Sequence, residues 1–164
     1  MKIIEALKKI KHLDRKVEKN LQRIKKWAAY VEDTRNPEPP LYNKEELVRM
    51  VQQIADWTTE KMNIRHLLHK TNLTVAADWN GKSYTIDELL LLQALGFPVA
   101  MNVQSCMSRR DANAEIGYGG KEFRRVVMQY DPKERDKTTD KLDDNAMKLN
   151  DLLDKLSLET EVVD

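Results

Sequence analysis

Two histidines, His66 and His69, stand three residues apart, with His12 far upstream. A pair at that spacing shares one helix face, and it holds a metal only when a neighbouring helix adds ligands. Asp14 of a folded-back first segment is an acidic candidate for such a ligand. The chain lacks His-Glu-x-x-His, and no Glu-x-x-His recurs on a second helix. The pair therefore reads as surface or half-buried histidines near a helix end, where positive charge suits the dipole. No metal and no cofactor are expected.

The single cysteine, Cys106, lies in Gln104-Ser105-Cys106-Met107-Ser108-Arg109-Arg110. Two adjacent arginines favour a thiolate, but the expected role is that of a small apolar core residue. Arg109-Arg110 and Arg124-Arg125 flank a glycine loop that holds Tyr118 and Lys121, with Phe123 beyond it. Basic and aromatic residues interleaved in this way resemble the surface of single-strand binders. Asp111, Glu115 and Glu122 dilute the set, and a solvated mixed-charge surface is the expectation. No phosphate-cradling Gly-x-x-x-x-Gly-Lys or Gly-x-Gly-x-x-Gly motif occurs. With no nucleophile–base or acid–base pair, the chain is expected not to be an enzyme.

The elements that hold these residues are helical. Five Gly and five Pro in 164 residues, with 34% charged residues, favour long helices over linker-rich or collagenous classes. One cysteine excludes an internal disulfide, and charges interrupt the first ten residues, so no secretory core is present. A reducing cytoplasm is the expected setting. No run of about 18 apolar residues is found, so a membrane-spanning helix is not expected.

The net charge of +1 hides an asymmetry. Residues 1–35 hold eleven basic and five acidic side chains, whereas residues 131–164 hold six basic and eleven acidic. The two ends are thus complementary, within one chain or between chains.

In residues 2–33, Ile3, Leu7, Ile10, Val17, Leu21, Ile24, Ala28 and Val31 follow alternating three- and four-residue steps, broken only at Asp14 with Leu13 beside it, a heptad-like stripe. Asn36-Pro37-Glu38-Pro39-Pro40 ends it. Asn43 with Glu46 signals a capping box, and residues 44–70 continue the spacing through Leu47, Met50, Ile54, Trp57, Ile64 and Leu68, with Lys61 the exception and Met62 next to it. The two segments predict an antiparallel, coiled-coil-like hairpin. Its candidate interface residues are Ile3, Leu7, Ile10, Trp27 and Trp57, with core packing as the default role of the two tryptophans.

Residues 73–130 read as a mixed insertion. Asn80-Gly81 predicts a tight β-hairpin turn. Thr85 with Glu88 predicts a helix start, Gly96 its C-cap, and a further helix follows over about 99–112. Phe123 to Tyr130 is a candidate third strand, which Asp131-Pro132 ends. A C-terminal helix spans 138–157 with Leu142, Ala146, Leu149, Leu153 and Leu156 as its stripe, and the tail beyond Glu159 is expected to fray. The fold class is therefore mainly α in a single domain, residues 1–164. A long helical hairpin packs with a C-terminal helix around a small β-hairpin insertion.

Lys2-Ile3-Ile4-Glu5-Ala6-Leu7 opens the basic helix, Lys70-Thr71-Asn72 closes the second, and Asn80-Gly81-Lys82-Ser83-Tyr84-Thr85-Ile86-Asp87-Glu88-Leu89 leads to the third. With the closing Glu159-Thr160-Glu161-Val162, this order resembles the septicolysin-like family of small helical proteins of bacteria and bacteriophages. The resemblance implies a helical hairpin with a third packed helix and carries no catalytic residues. The expected function is that of a non-enzymatic helical interaction or assembly protein, a homo-oligomeric structural component, with a phage virion as its setting by analogy. The partner expected is protein, as a second copy or a larger assembly. Two alternatives stand beside it: a membrane-active, pore-forming protein, as the family name implies, and a nucleic-acid binder that uses the basic first helix.

Overall fold

The computed structural model describes residues 1–32, 34–35, 38–116 and 125–163. Six α-helices and two strands follow in order: α1 (Ile3–Trp27), α2 (Lys44–Thr74), β1 (Ala76–Trp79), β2 (Lys82–Thr85), α3 (Ile86–Leu91), α4 (Phe97–Cys106), α5 (Arg110–Ile116) and α6 (Pro132–Glu159). A single π-helical turn, Leu92–Gly96, joins α3 to α4. The fold is mainly α with one small β-hairpin. The chain divides into two compact units: Met1–Thr74 with Leu156–Asp164, and Val75–Lys155.

In the first unit α1 and α2 pack as an antiparallel pair. The buried residues of α1 are Ile3, Ala6, Ile10, Leu13 and Asn20, with Val17, Ile24 and Trp27 half-buried. These positions keep strict three- and four-residue steps. The seam therefore differs from the stripe read from hydrophobicity. Ala6, Leu13 and Asn20 face inward, whereas Leu7 and Leu21 are exposed. The reason is size and polarity: the true seam carries an alanine and an asparagine, which a hydrophobicity pattern passes over in favour of neighbouring leucines. On α2, Met50, Ile64, Leu68 and Thr71 are buried on the same spacing, with Leu47, Ile54, Trp57 and Lys61 half-buried between them.

Helix α1 ends at Trp27, short of the expected boundary at position 33, and Val31 is almost fully exposed. Asn20 pairs with Gln53 across the seam, so α2, which begins at Lys44, has no helical turn left to cover α1 beyond about residue 28. A helical turn without a packing partner does not sustain itself. The start of α2 is as read: Glu46 N–H donates to Asn43 Oδ1 at 2.8 Å, and Asn43 N–H donates back to Glu46 Oε2 at 2.9 Å. At its other end α2 runs past Lys70 to Thr74.

The C-terminal tail is pinned rather than frayed. Ile3 N–H donates to the Thr160 carbonyl at 3.0 Å, and Val162 N–H donates to the Met1 carbonyl at 2.8 Å. These bonds make a one-pair antiparallel bridge between Lys2 and Glu161. Val163 N–H donates to the fully buried Thr71 Oγ1 at 2.9 Å. The first turn of a helix has amide donors with no intrahelical acceptor, and here an extended tail supplies one for Ile3. The two chain ends thus meet within one chain, through backbone bonds.

In the second unit β1 and β2 pair antiparallel, Ala76 with Thr85 and Trp79 with Lys82. Asn80 and Gly81 both have positive φ, 51° and 77°, the requirement of a two-residue type I′ turn whose twist matches the strands. Glu88 N–H donates to Thr85 Oγ1, Thr85 N–H to Glu88 Oε2, and Ile86 N–H to the Val75 carbonyl. The hairpin therefore hands the chain straight into α3. Trp79, Ile86, Leu89 and Leu149 are buried in this unit.

Four expectations are corrected by the structure. Gly96 does not cap a helix: its φ of −62° is right-handed, and the chain continues through it into α4 with Pro98 in the first turn. Proline has no N–H to donate and its ring crowds the carbonyl four residues back, and a π turn ahead of it absorbs both defects. The expected helix over 99–112 is two helices, α4 and α5, broken at Met107, Ser108 and Arg109. Residues 125–130 form no strand, and the sheet has two strands among the described residues; Phe123 and Arg124 lie outside them. Asp131-Pro132, read as the end of a strand, instead starts α6. Asp131 Oδ1 accepts from Lys133 N–H at 2.8 Å, with proline in the first helical position.

Candidate functional site

The side chains that offer chemistry are scattered. His12, His66 and His69 are all exposed. Among the described residues no three His, Cys, Asp or Glu side chains gather as metal ligands. Asp14 meets Lys61 of α2 as an ion pair rather than either histidine. Cys106 is exposed, which corrects its reading as a core residue. It is the last residue of α4, where the chain breaks toward Ser108, and it borders a depression of about 210 Å³ with Arg109, Val126 and Tyr130. Arg109, Arg110 and Arg125 are exposed, whereas Tyr118, Lys121, Phe123 and Arg124 lie outside the described residues.

One strong polar contact sits beside that depression. Arg135 Nη1 donates to the Met107 carbonyl at 2.8 Å, and its guanidinium pairs with Asp136 and lies 5.7 Å from the Tyr130 ring centre. The hydrogen bond to Asp136 raises the Arg135 pKa above its ordinary value. The contact ties the start of α6 to the end of α4 and takes up the last-turn carbonyl that a helix end leaves unpaired.

The five candidate interface residues fall into three environments. Ile3 and Ile10 are buried in the first unit, where the inner faces of α1 and α2 meet. Leu7 is 47% exposed. Trp27 and Trp57 are half-buried and do not stack on one another. Trp27 meets Tyr42 edge-on, with ring centres 6.2 Å apart, and Lys26 lies over its ring. The Lys16 ammonium lies 5.4 Å from the Trp57 ring centre. Each tryptophan thus has one face on the hairpin and one under a lysine, the packing of a seam margin.

Large apolar side chains outside the seam form the most extensive feature. Among the described residues, twenty large hydrophobic side chains are exposed and eleven apolar ones are buried. Val48, Val51 and Met62 lie on the outer side of α2. Leu91, Leu95, Val99 and Val103 are each 49–61% exposed along α3, the π turn and α4. Sequence reasoning passes over this second group because Gln93 and Asn102 break the apolar run. The uncharged run is nevertheless long, from Leu89 to Ser108. The segment Ile86–Glu115 is long and apolar enough to cross a membrane by length and composition, which corrects the expectation that no such segment exists. Comparison of the whole chain with protein-family models, with curated proteins and with solved structures finds no match.

Proposed function

We propose that this chain is a non-enzymatic helical assembly protein that works as a homo-oligomeric structural component. The observation that carries the reading is the excess of exposed over buried large apolar side chains, arranged at helical spacing on α2 and on α3–α4. Scattered exposed leucines need no explanation, but rows of them along one helix mark a surface that another chain covers. The resemblance to the septicolysin-like family supports the same reading and supplies the phage virion as a setting by analogy only.

The test is the native mass of the full chain over about 1 to 100 μM, because association is a mass-action property. Sedimentation velocity is expected to show species heavier than the 19.1 kDa chain. A single 19.1 kDa species throughout overturns the reading.

A second reading rests on the segment Ile86–Glu115, whose length and composition would allow insertion into a bilayer. Flotation with vesicles of phosphatidylcholine and phosphatidylglycerol, together with dye release from them, tests it. Absence of both removes it.

A further inference from the structure

We infer that the exposed ridge Leu91-Leu95-Val99-Val103 is a self-pairing surface on which the same helix of a second copy lies antiparallel. The inference rests on the assembly reading and names its contact. Four apolar residues at steps of four would not share a face of an ordinary α-helix. At 3.6 residues per turn, each step carries the next side chain about 40° around the axis, about 120° over the whole row. The π turn Leu92–Gly96 lies inside the row. A π turn takes up one extra residue, equivalent to about 100° of rotation, and leaves the four side chains within about 20° of one line. All four are exposed. The π turn, which immediately precedes Phe97 and Pro98, thus builds a straight apolar ridge about 18 Å long.

Beside the ridge runs a row of smaller exposed residues, Ala94, Pro98 and Asn102, three positions on from Leu91, Leu95 and Val99. A ridge next to a shallow row on one helix is self-complementary: the ridge of each copy can lie in the groove of the other about a two-fold axis. Charge sets the direction. The uncharged run Leu89–Ser108 has Asp87 and Glu88 just before its start and Arg109 and Arg110 just past its end. Antiparallel pairing sets the acidic end of each copy against the basic end of the other, whereas parallel pairing sets like against like. The midpoint of the charged ends and the midpoint of the ridge coincide within about two residues, near Gly96 to Pro98, so charge and shape ask for one register.

A bilayer fits this helix less well. The opposite side of its first part is committed to the protein, with Ile86 and Leu89 buried and Gln93 donating to Asn150 Oδ1 of α6, whereas α4 itself has no buried residue. A spanning helix would strip those contacts. An interfacial helix would carry Lys or Arg along its polar margin, and here the margin is Ala94, Pro98 and Asn102.

The test uses the full chain and its L95D/V99D variant, with L95S/V99S as a milder pair should the acidic one lose helicity by circular dichroism. Either pair is expected to weaken self-association at least ten-fold while the far-ultraviolet spectrum stays that of the parent. D87K, which leaves the Thr85–Glu88 cap in place, and R109E/R110E are each expected to weaken association. An equimolar mixture of these two variants is expected to restore it. Unchanged association of L95D/V99D overturns the ridge as the contact, while the assembly reading stands through another face. Failure of the mixture to regain association overturns the antiparallel direction. A parent that sediments only as a monomer removes the assembly reading itself. Vesicle flotation lost in L95D/V99D while self-association persists assigns the ridge to lipid and overturns the proposal.

Discussion

Asn20 Nδ2 donates to Gln53 Oε1 at 3.0 Å inside the seam of the helical hairpin, and Asn20 is 4% exposed. Its Oδ1 in turn accepts from Arg23. A buried polar pair in a mainly apolar seam lowers stability and fixes register, because a slip by a heptad would part the two amides. N20A is therefore expected to destabilise the chain by about 1–3 kcal/mol, since Gln53 loses its partner. The double variant N20L/Q53L is expected to match or exceed the parent in urea. It is also expected to lose a single register, seen as doubled or broadened amide resonances across α1. Urea titration and a two-dimensional amide spectrum check the pair of outcomes.

Thr71 and Val163 make the second such relationship. Thr71 is fully buried; its Oγ1 donates to the Leu67 carbonyl at 2.8 Å and accepts from Val163 N–H at 2.9 Å. T71V keeps the shape and removes both bonds, and it leaves a part-buried amide unsatisfied. The expected loss is about 1–3 kcal/mol. The specific mark is local: hydrogen exchange at Val162 and Val163 is expected to speed up more than exchange at the middle of α2. T71S, which restores the hydroxyl, is expected to recover slow exchange at Val163.

Two capping boxes, the Asn-Gly turn and both hairpin helices are legible in residue types, because each rests on contacts between residues close in sequence. Asn43 with Glu46 and Thr85 with Glu88 bond as their spacing requires. The features that residue types do not reveal are set by contacts distant in sequence. Leu7 reads as seam and Ala6 does not, yet only packing against α2 decides which is covered. Gly96 followed by Pro98 carries the usual signature of a helix end, and the chain instead continues through a π turn. Thr71 gives no sign in the sequence that it receives the tail ninety-two positions on. The exposed ridge on α3–α4 escapes a reading by residue type because Gln93 and Asn102 interrupt its run. Its alignment becomes visible only once the π turn is known.

Gly81 and Gly96 invite opposite outcomes from one substitution. Gly81 has φ of +77°, and an added Cβ would meet nothing within 4 Å. The whole cost of G81A is therefore backbone strain, about 1–2 kcal/mol. Gly96 has an ordinary helical φ, and its added Cβ would come 2.6 Å from Leu92 Cδ1, the free end of a side chain that can turn away. Alanine gains about 0.5–1 kcal/mol of helix preference there, enough to offset a rotamer change. Thermal or urea unfolding is expected to place G81A well below the parent. G96A is expected to fall within about 0.5 kcal/mol of it.

Pro98 separates the geometry of the ridge from its composition. P98A restores the missing N–H and removes the ring that crowds the carbonyl four residues back, so an ordinary α-helix can close through residues 92–96. Without the π turn, Val99 and Val103 swing to about 80° and 120° from Leu91. The four apolar side chains are unchanged, and only their alignment is lost. Self-association of P98A is therefore expected to fall, with helicity by circular dichroism equal to or above that of the parent. Deletion of Ala94 in the P98A background removes the one residue that the π turn took up. Seven and eleven α-helical steps then separate Leu91 from the residues that are Val99 and Val103 in the parent, which returns both to within about 20° of it. Leu95 alone stays about 60° off the line, so the deletion is expected to restore most of the association that P98A loses. The bond from Gln93 to Asn150 lies ahead of the deletion and is expected to hold in both variants. If exposed apolar area alone drives association, the sedimentation profiles of parent, P98A and the deletion variant coincide. A loss in P98A that the deletion reverses is the signature of alignment, because the deletion adds no apolar surface and can act only by turning one half of the ridge back onto the other.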